Sequence, residues 1–326
     1  MGQKHSSRRA LSLAFILIIG RPLPAPAAPA TIDLPGADAY PESITSKSDG
    51  TLFVGSVARG GVMRIPQEAG QAEPFIEPGA FGSRSIFGVL ADDASNTLWV
   101  CSNDASMLNT PGPSKVEGSF LKGFDLTTGA PKSSARLPGE HTLCNDIAIG
   151  PGGAIYVTNT FAPEILKLDR ARNRLDVWLR DPVFEPPKNG GGLDGIAFDG
   201  DGNLYVNTFT PGELFRIDVK GGAPVKITRL TTSRPLTTPD ALRRLDQSHF
   251  LMIEGDGKLD RVTVSGDSAT IETIAVGFGA PTSVTQVGDT AFVTDGQLPG
   301  LFSGSGESPK LPFRIYAAPL SPPRAD

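Results

Sequence analysis

A five-residue pattern recurs six times along this chain: a turn former, a variable residue, an apolar residue, a bulky apolar or aromatic residue, then Val or a Val-like residue. The copies are Gly50–Val54 (GTLFV), Asn96–Val100 (NTLWV), Gly153–Val157 (GAIYV), Gly202–Val206 (GNLYV), Ser248–Met252 (SHFLM) and Asp289–Val293 (DTAFV), at steps of 46, 57, 49, 46 and 41 residues. β-Branched and aromatic runs bounded by Gly, Asp and Asn favour strands. Between the copies lie further strand-like pieces: Val62–Ile65, Phe120–Phe124, Glu164–Asp169 and Gly212–Asp218. The last two alternate apolar and polar residues as a half-buried strand does, and no convincing amphipathic helix intervenes. A period of roughly 40–50 residues with about four strands per copy marks propeller blades. The expected fold is therefore all-β, a six-bladed β-propeller. A pair of stacked β-sandwiches would lack the six-fold recurrence of one motif. An open ring would leave raw sheet edges, so Thr31–Leu34 is expected to complete the sixth blade beside Phe313–Ala317.

The first thirty residues read as something other than fold. Lys4, Arg8 and Arg9 form a basic region, Ala10–Gly20 is an apolar run, and Ala28-Pro29-Ala30 offers a small-x-small cleavage pattern. The run is too short for a membrane span, and no later stretch is long and apolar enough for one. Residues 1–30 are expected to be a signal peptide, and residues 31–326 a single propeller domain of a periplasmic or secreted protein. The pair Arg8-Arg9 leaves a twin-arginine route open. Without that leader the chain carries 26 basic and 35 acidic residues, a net charge of −9. Such a surface disfavours nucleic acid and anionic lipid as partners.

Counting back eight residues from the start of each copy gives Glu42, Gly88, Asn145, Asp194, Asp240 and Pro281. Glu42, Asn145, Asp194 and Asp240 carry side-chain oxygens, and each precedes an apolar residue by two positions: Ile44, Ile147, Ile196 and Leu242. The innermost strands of a propeller run the same way along its channel, so residues at one register in several blades converge near the axis. Any one of these residues alone would suit a turn. Three acids and an amide packed together are costly unless compensated, and a hard divalent cation with oxygen ligands compensates them. Calcium fits best, because magnesium wants stricter octahedral geometry and zinc usually recruits His or Cys.

Several neighbours deserve roles of their own. Asp146 is either an outer support holding the Asn145 amide or a turn cap. His141, on the loop entering blade three, either orients a substrate and shuttles protons or is merely solvated. Cys101 and Cys144 are an even pair in an exported chain, which favours a disulfide over two buried thiols. Gly190-Gly191-Gly192 has no helix after it, so it reads as close approach to the channel and not as a phosphate cradle. The 57-residue step into blade three adds a loop, Asn103–Glu117, suited to a lid or a docking surface.

The segments Pro41-Glu42, Cys144-Asn145-Asp146, Leu193-Asp194-Gly195 and Pro239-Asp240-Ala241 resemble the metal-binding segments of the senescence marker protein/gluconolactonase family, relatives of paraoxonase-like lactonases and diisopropylfluorophosphatase. The resemblance spans about residues 31–318. It implies a six-bladed propeller with a catalytic calcium or similar dication, hydrolysing a small-molecule lactone or other ester, with Asp240 as general base and Asp194 a competitor for that role. Two residues depart from the pattern. Asp194 stands where the family usually has Asn, which holds a cation harder but blunts its Lewis acidity. Leu143 stands where sugar-lactone members tend to carry Arg, which argues against a sugar-acid lactone. The alternative from another class is a non-catalytic exported propeller whose metal only pins the blades. A metal-free strictosidine synthase-like propeller needs no such cluster of acids.

Overall fold

The computed structural model describes residues 1–2 and 31–320. The expected leader therefore falls, save for its first two residues, outside the described residues. Six antiparallel sheets follow one another in chain order, five of four strands and one of five. The innermost strands are Pro41–Ser46, Ser85–Asp92, Cys144–Ile149, Leu193–Phe198, Pro239–Arg244 and Pro281–Val287, and each packs against the next around a ring. Every copy of the repeat forms or opens the second strand of its blade. The chain is the predicted six-bladed propeller.

The ring closes as expected. Thr31–Leu34 pairs antiparallel with Phe313–Pro319, Thr31 opposite Tyr316 and Leu34 opposite Phe313. The sixth blade is thus made from both ends of the described propeller, and no raw edge is left between first and last blades. Blade five departs from expectation by a short extra piece, Thr231–Thr232, which runs parallel to Ser268–Val276. One α-helix, Leu298–Phe302, lies among the described residues, with Pro near its start. No helix among them is long and apolar enough to cross a membrane.

The repeat also explains the core. Alternate residues of a strand face opposite sides of its sheet, so each blade contributes one apolar set to each neighbour. Ala148, Tyr156 and Ile165 of blade three pack with Ile196, Leu204, Val206 and Phe215 of blade four. From the other face of blade four, Ala197, Tyr205 and Leu214 pack with Leu242, Phe250 and Met252 of blade five. The recurring aromatic position therefore fills one inter-blade gap while its Leu and Val neighbours fill the next.

Polar side chains clamp the blades near the axis. Asn103 of blade two donates to the Cys144 carbonyl at 2.8 Å and accepts from the Cys144 amide at 2.9 Å. Thr158 of blade three donates to the Asp194 carbonyl at 2.7 Å. Asn207 of blade four donates to the carbonyls of Pro239, at 2.6 Å, and Asp240, at 2.9 Å. Blade six reaches blade one through the Thr282 hydroxyl, which donates to the Pro41 carbonyl at 3.0 Å. Cys101 and Cys144 are joined in a disulfide, with their Cα atoms 5.2 Å apart. It adds a covalent tie between blades two and three beside the Asn103 clamp.

Close approach at the axis leaves no room for side chains at some positions. A Cβ on Gly195 would lie 2.5 Å from both the Asp240 carbonyl oxygen and the Leu242 nitrogen. Its backbone is not left-handed, so the restriction is purely one of space. Gly195→Ala is expected to force blades four and five apart at the axis and to destabilise the fold by about 1–3 kcal/mol. A urea melt checks this, the expected result being a lower midpoint with an unchanged slope.

Candidate functional site

Each innermost strand carries a break in register just after its start. The pairing jumps between Pro41 and Ile44, Ile86 and Val89, Cys144 and Ile147, Leu193 and Ile196, Pro239 and Leu242, and Pro281 and Ser283. A β-bulge bends its strand and re-aims a side chain. Glu42, Asn145, Asp194 and Asp240 all stand in such bulges, inside the strand. Their side chains all line one cavity of about 750 Å³ at one end of the channel.

The bulges also correct the register in the two blades without an oxygen ligand. Ile44 pairs with Val54, but the matching pairs are Val89 with Val100 and Val284 with Val293. The first hairpin is therefore one residue longer in blade two and one shorter in blade six. The residues equivalent to Glu42 are Phe87 and Thr282, in place of the Gly88 and Pro281 reached by counting. Phe87 and Thr282 both line the cavity.

The four polar side chains form a compact floor. The Asn145 amide nitrogen donates to the Thr160 hydroxyl at 2.9 Å and to Asp194 Oδ2 at 3.1 Å. The Asp194 and Asp240 carboxyl groups stand close enough to hydrogen-bond when one of them is protonated. Asp194 Oδ1 is buried without a hydrogen-bond partner. Burial pushes the Asp194 carboxyl up to about 7, aided by the charge of Asp146 and opposed by hydrogen bonds from Asp240 and Asn145. Burial likewise drives Glu42 well above the usual carboxylate range, with the charges of Asp194 and Asp146 adding to it. Asp240 rises well above it for the same reason, first from burial, then from the charges of Asp194, Glu42 and Asp146.

One countercharge was not read from the sequence. Arg243, also on the innermost strand of blade five, reaches across the channel to Asp146 of blade three. Its Nη1 meets Asp146 Oδ2 at 2.5 Å and its Nη2 meets Oδ1 at 2.9 Å. Burial works against the Arg243 charge, but Asp146, Glu42 and Asp240 outweigh it and hold the guanidinium above its ordinary pKa. Asp146 also accepts from the backbone nitrogens of Ile147, at 2.9 Å, and Ile196, at 3.4 Å. It therefore ties blades three, four and five together and does not hold the Asn145 amide; Thr160 and Asp194 do that. The sequence signal for Arg243 was slight, a basic residue three positions after Asp240 in a strand that is otherwise inward-facing.

The donors are chemically suited to a hard cation: carboxylate and amide oxygens, one of them orphaned, and more negative than positive groups around the channel. Glu42, Asp146, Asp194 and Asp240 face a single guanidinium. No three acidic, His or Cys side chains among the described residues stand as a ready-made metal cage.

Above the floor the cavity wall is apolar. His141 is exposed at the mouth together with Lys188. Gly190 and Gly191 line the wall, and a Cβ on Gly192 would lie 2.8 Å from the Thr160 carbonyl, so this run does approach the channel closely. The inserted loop contributes Met107 and Leu108. Arg84, buried, holds that loop through the carbonyl of Val116 at 3.1 Å and an ion pair with Asp104 at 2.7 Å. Asn109 donates to the Phe302 carbonyl at 2.8 Å, linking the loop to the helix Leu298–Phe302 across the mouth.

No family model matches the sequence, and no curated protein matches it either. Solved structures do resemble it. The allergen Mala s 1 of Malassezia sympodialis superposes with a TM-score of 0.68 at 13% identity, covering 89% of this chain and 96% of its own. A gluconolactonase from Xanthomonas campestris gives a TM-score of 0.62 at 15% identity, with 89% of each chain covered. The PQQ-bound aldose sugar dehydrogenase of Streptomyces coelicolor gives 0.58 at 17% identity, covering 90% of this chain and 99% of the other. At these identities the likeness is one of fold, and that fold serves proteins of different kinds.

Two outcomes follow from the electrostatics. Arg243→Met leaves Asp146 buried and unpaired and is expected to lose about 3–5 kcal/mol of stability, most of it restored when Asp146→Asn is added. Thermal melts of the single and double variants check this. The Asp194 carboxyl has its pKa raised from 3.8 to about 7 on folding. The folded state thus binds more protons than the unfolded state across that interval, and stability falls as pH rises through it. In chelator-containing buffer, the parent's melting temperature is expected to decline between pH 4 and pH 7, and Asp194→Asn to flatten that decline.

Proposed function

We propose that this chain is an exported hydrolase of lactones or esters, with one divalent cation, calcium by preference, held by Glu42, Asn145, Asp194 and Asp240. The observation that carries this reading is the convergence of four bulge residues from four blades on one buried, over-acidic floor beneath an apolar cavity. The fold shared with a gluconolactonase is compatible with it. Export is supported by the leader-like residues 1–30 and by the Cys101–Cys144 disulfide, which suits an oxidising compartment.

A cation held there supplies Lewis acidity, polarising the substrate carbonyl and stabilising the negative charge that develops on its oxygen. The chain's own residues supply the proton handling. Asp240, partly open to the cavity, accepts the proton of an attacking water on a carboxylate oxygen. The water oxygen bonds to the carbonyl carbon, the ester C–O bond breaks, and Asp240 returns the proton to the departing alkoxide. The Asn207 clamp holds the Asp240 backbone in place. Arg243, paired with Asp146, ties the bulge of blade three to the innermost strand of blade five.

Asp240→Asn is expected to abolish turnover of any lactone or ester the parent hydrolyses while retaining part of its calcium binding by calorimetry. Full activity in that variant refutes the role of Asp240. A panel of lactones and aryl esters, run with and without chelator, tests the whole reading. Chelator-sensitive turnover supports the enzyme, whereas a chelator effect on melting with no turnover supports a binding scaffold pinned by its ion.

A further inference from the structure

The cavity above the floor narrows the substrate class, and this step rests on the hydrolase reading. We infer that the site takes a lactone or ester with an alkyl or aryl body, and that it discriminates against polyhydroxylated lactones. Three observations carry this. The wall between floor and mouth is built from Phe87, Leu143, Phe161, Phe209, Leu298 and Phe302. None of these side chains offers a hydrogen bond. A sugar-acid lactone carries hydroxyls on most of its carbons, and each would be stripped of water against that wall.

The second observation concerns the hydroxyls that do line the cavity. Thr160 Oγ1 donates to the Leu193 carbonyl at 2.8 Å and accepts from the Asn145 amide at 2.9 Å. Thr282 Oγ1 donates to the Pro41 carbonyl at 3.0 Å and contacts the Thr294 hydroxyl at 3.0 Å. Both have their proton committed to the blade clamps, so neither is free to donate to a substrate hydroxyl. Polar groups without a prior role remain only at the mouth, in His141 and Lys188.

The third observation is the residue at the ligand register of blade two. Phe87 stands in the bulge where blades one, three, four and five carry Glu42, Asn145, Asp194 and Asp240. It is 3% exposed and stacks on Phe302, with ring centroids 6.2 Å apart and planes at 7°. Leu143, 4% exposed, adjoins Cys144, whose disulfide to Cys101 pins that strand start to blade two. The apolar surface thus reaches down to the floor itself, where the bond to be broken would lie. It is part of the rigid frame and does not depend on a mobile loop.

The magnitudes are large enough to read. Each methylene taken up by such a wall is worth about fourfold in kcat/KM. A hydrophobic pocket rejects a single added hydroxyl by up to about a hundredfold. The test uses the full mature chain loaded with calcium and compares δ-valerolactone, δ-octalactone, δ-decanolactone and phenyl acetate with glucono-δ-lactone. Rising kcat/KM with alkyl length, and a glucono-δ-lactone value at least about a hundredfold below that of δ-decanolactone, supports the inference. Glucono-δ-lactone turned over as well as δ-decanolactone overturns it while leaving the hydrolase reading intact.

A binding arm separates the two readings. The non-hydrolysed probe is δ-decanolactam, titrated by calorimetry into the parent and into Leu143→Arg and Phe87→Ser. Binding to the parent that weakens about tenfold or more in both variants supports the apolar class even if no ester is hydrolysed, in which case the hydrolase reading alone fails. Both variants are first required to melt within a few degrees of the parent. If either unfolds, Phe161→Ser takes its place. No binding of the lactam to the folded parent overturns the inference.

Discussion

Like charges converge at the axis of this ring, and the chain resolves the conflict in stages. Glu42, Asp146, Asp194 and Asp240 come from four different blades, and the bulges aim all of them at one channel. Isolated ionised carboxylates in such a place would carry several kcal/mol of desolvation each. Arg243 neutralises Asp146 with a two-pronged ion pair. Burial raises the Asp194 carboxyl to about 7 and carries Asp240 well above its usual range, so protonation lowers the charge of the pair. Asp194 Oδ1 is left without a partner.

Those charges can be held together only if the blades cannot drift. Apolar packing between sheets gives adhesion but little register, since a sheet face offers similar surface along its length. Register at the hub comes from directional bonds: Asn103 to Cys144, Thr158 to Asp194, Asn207 to Asp240 and Thr282 to Pro41. Each is made to the backbone of a bulge in the following blade, so every clamp fixes the aim of a floor side chain. Gly195 belongs to the same device, because the approach it permits brings the Asp240 backbone against blade four.

The repeat made the fold legible. A motif that sets one strand per blade, six times, dictates blade number, and the need to hide edges dictates that Thr31–Leu34 pairs with Phe313–Pro319. The placement of Glu42, Asn145, Asp194 and Asp240 in one cavity was legible for the same reason. What escaped had specific causes. Fixed counting failed in blades two and six because hairpin length varies by a residue while the bulge position does not, which hid Phe87 and Thr282. Arg243 and Asp146 are 97 residues apart, and no periodicity links them. They meet only because blades three and five, one blade apart in the ring, both open onto the same channel. The helix Leu298–Phe302 is too short, and too rich in Pro and Gly, to show helical periodicity.

The same ring geometry accounts for the contrast between floor and wall. Side chains in the bulges point at the axis and are surrounded by other blades' bulges, so polarity there is shared and compensated. The wall residues above the bulges lie in connections, Leu143 between blades two and three, Phe161 and Phe209 in the turns after the second strands of blades three and four. Leu143, Phe161 and Phe209 line the cavity from blades three and four, and the inserted loop is joined to the helix Leu298–Phe302 through the Asn109 bond. Polar side chains placed in that upper layer would lack the neighbouring clamps that satisfy Thr160 and Thr282. An apolar vestibule over a charged floor is thus the arrangement that confines unpaired buried polar atoms to the level of the bulges and their clamps, where Asp194 Oδ1, Arg243 Nε and Asn207 Oδ1 lack partners.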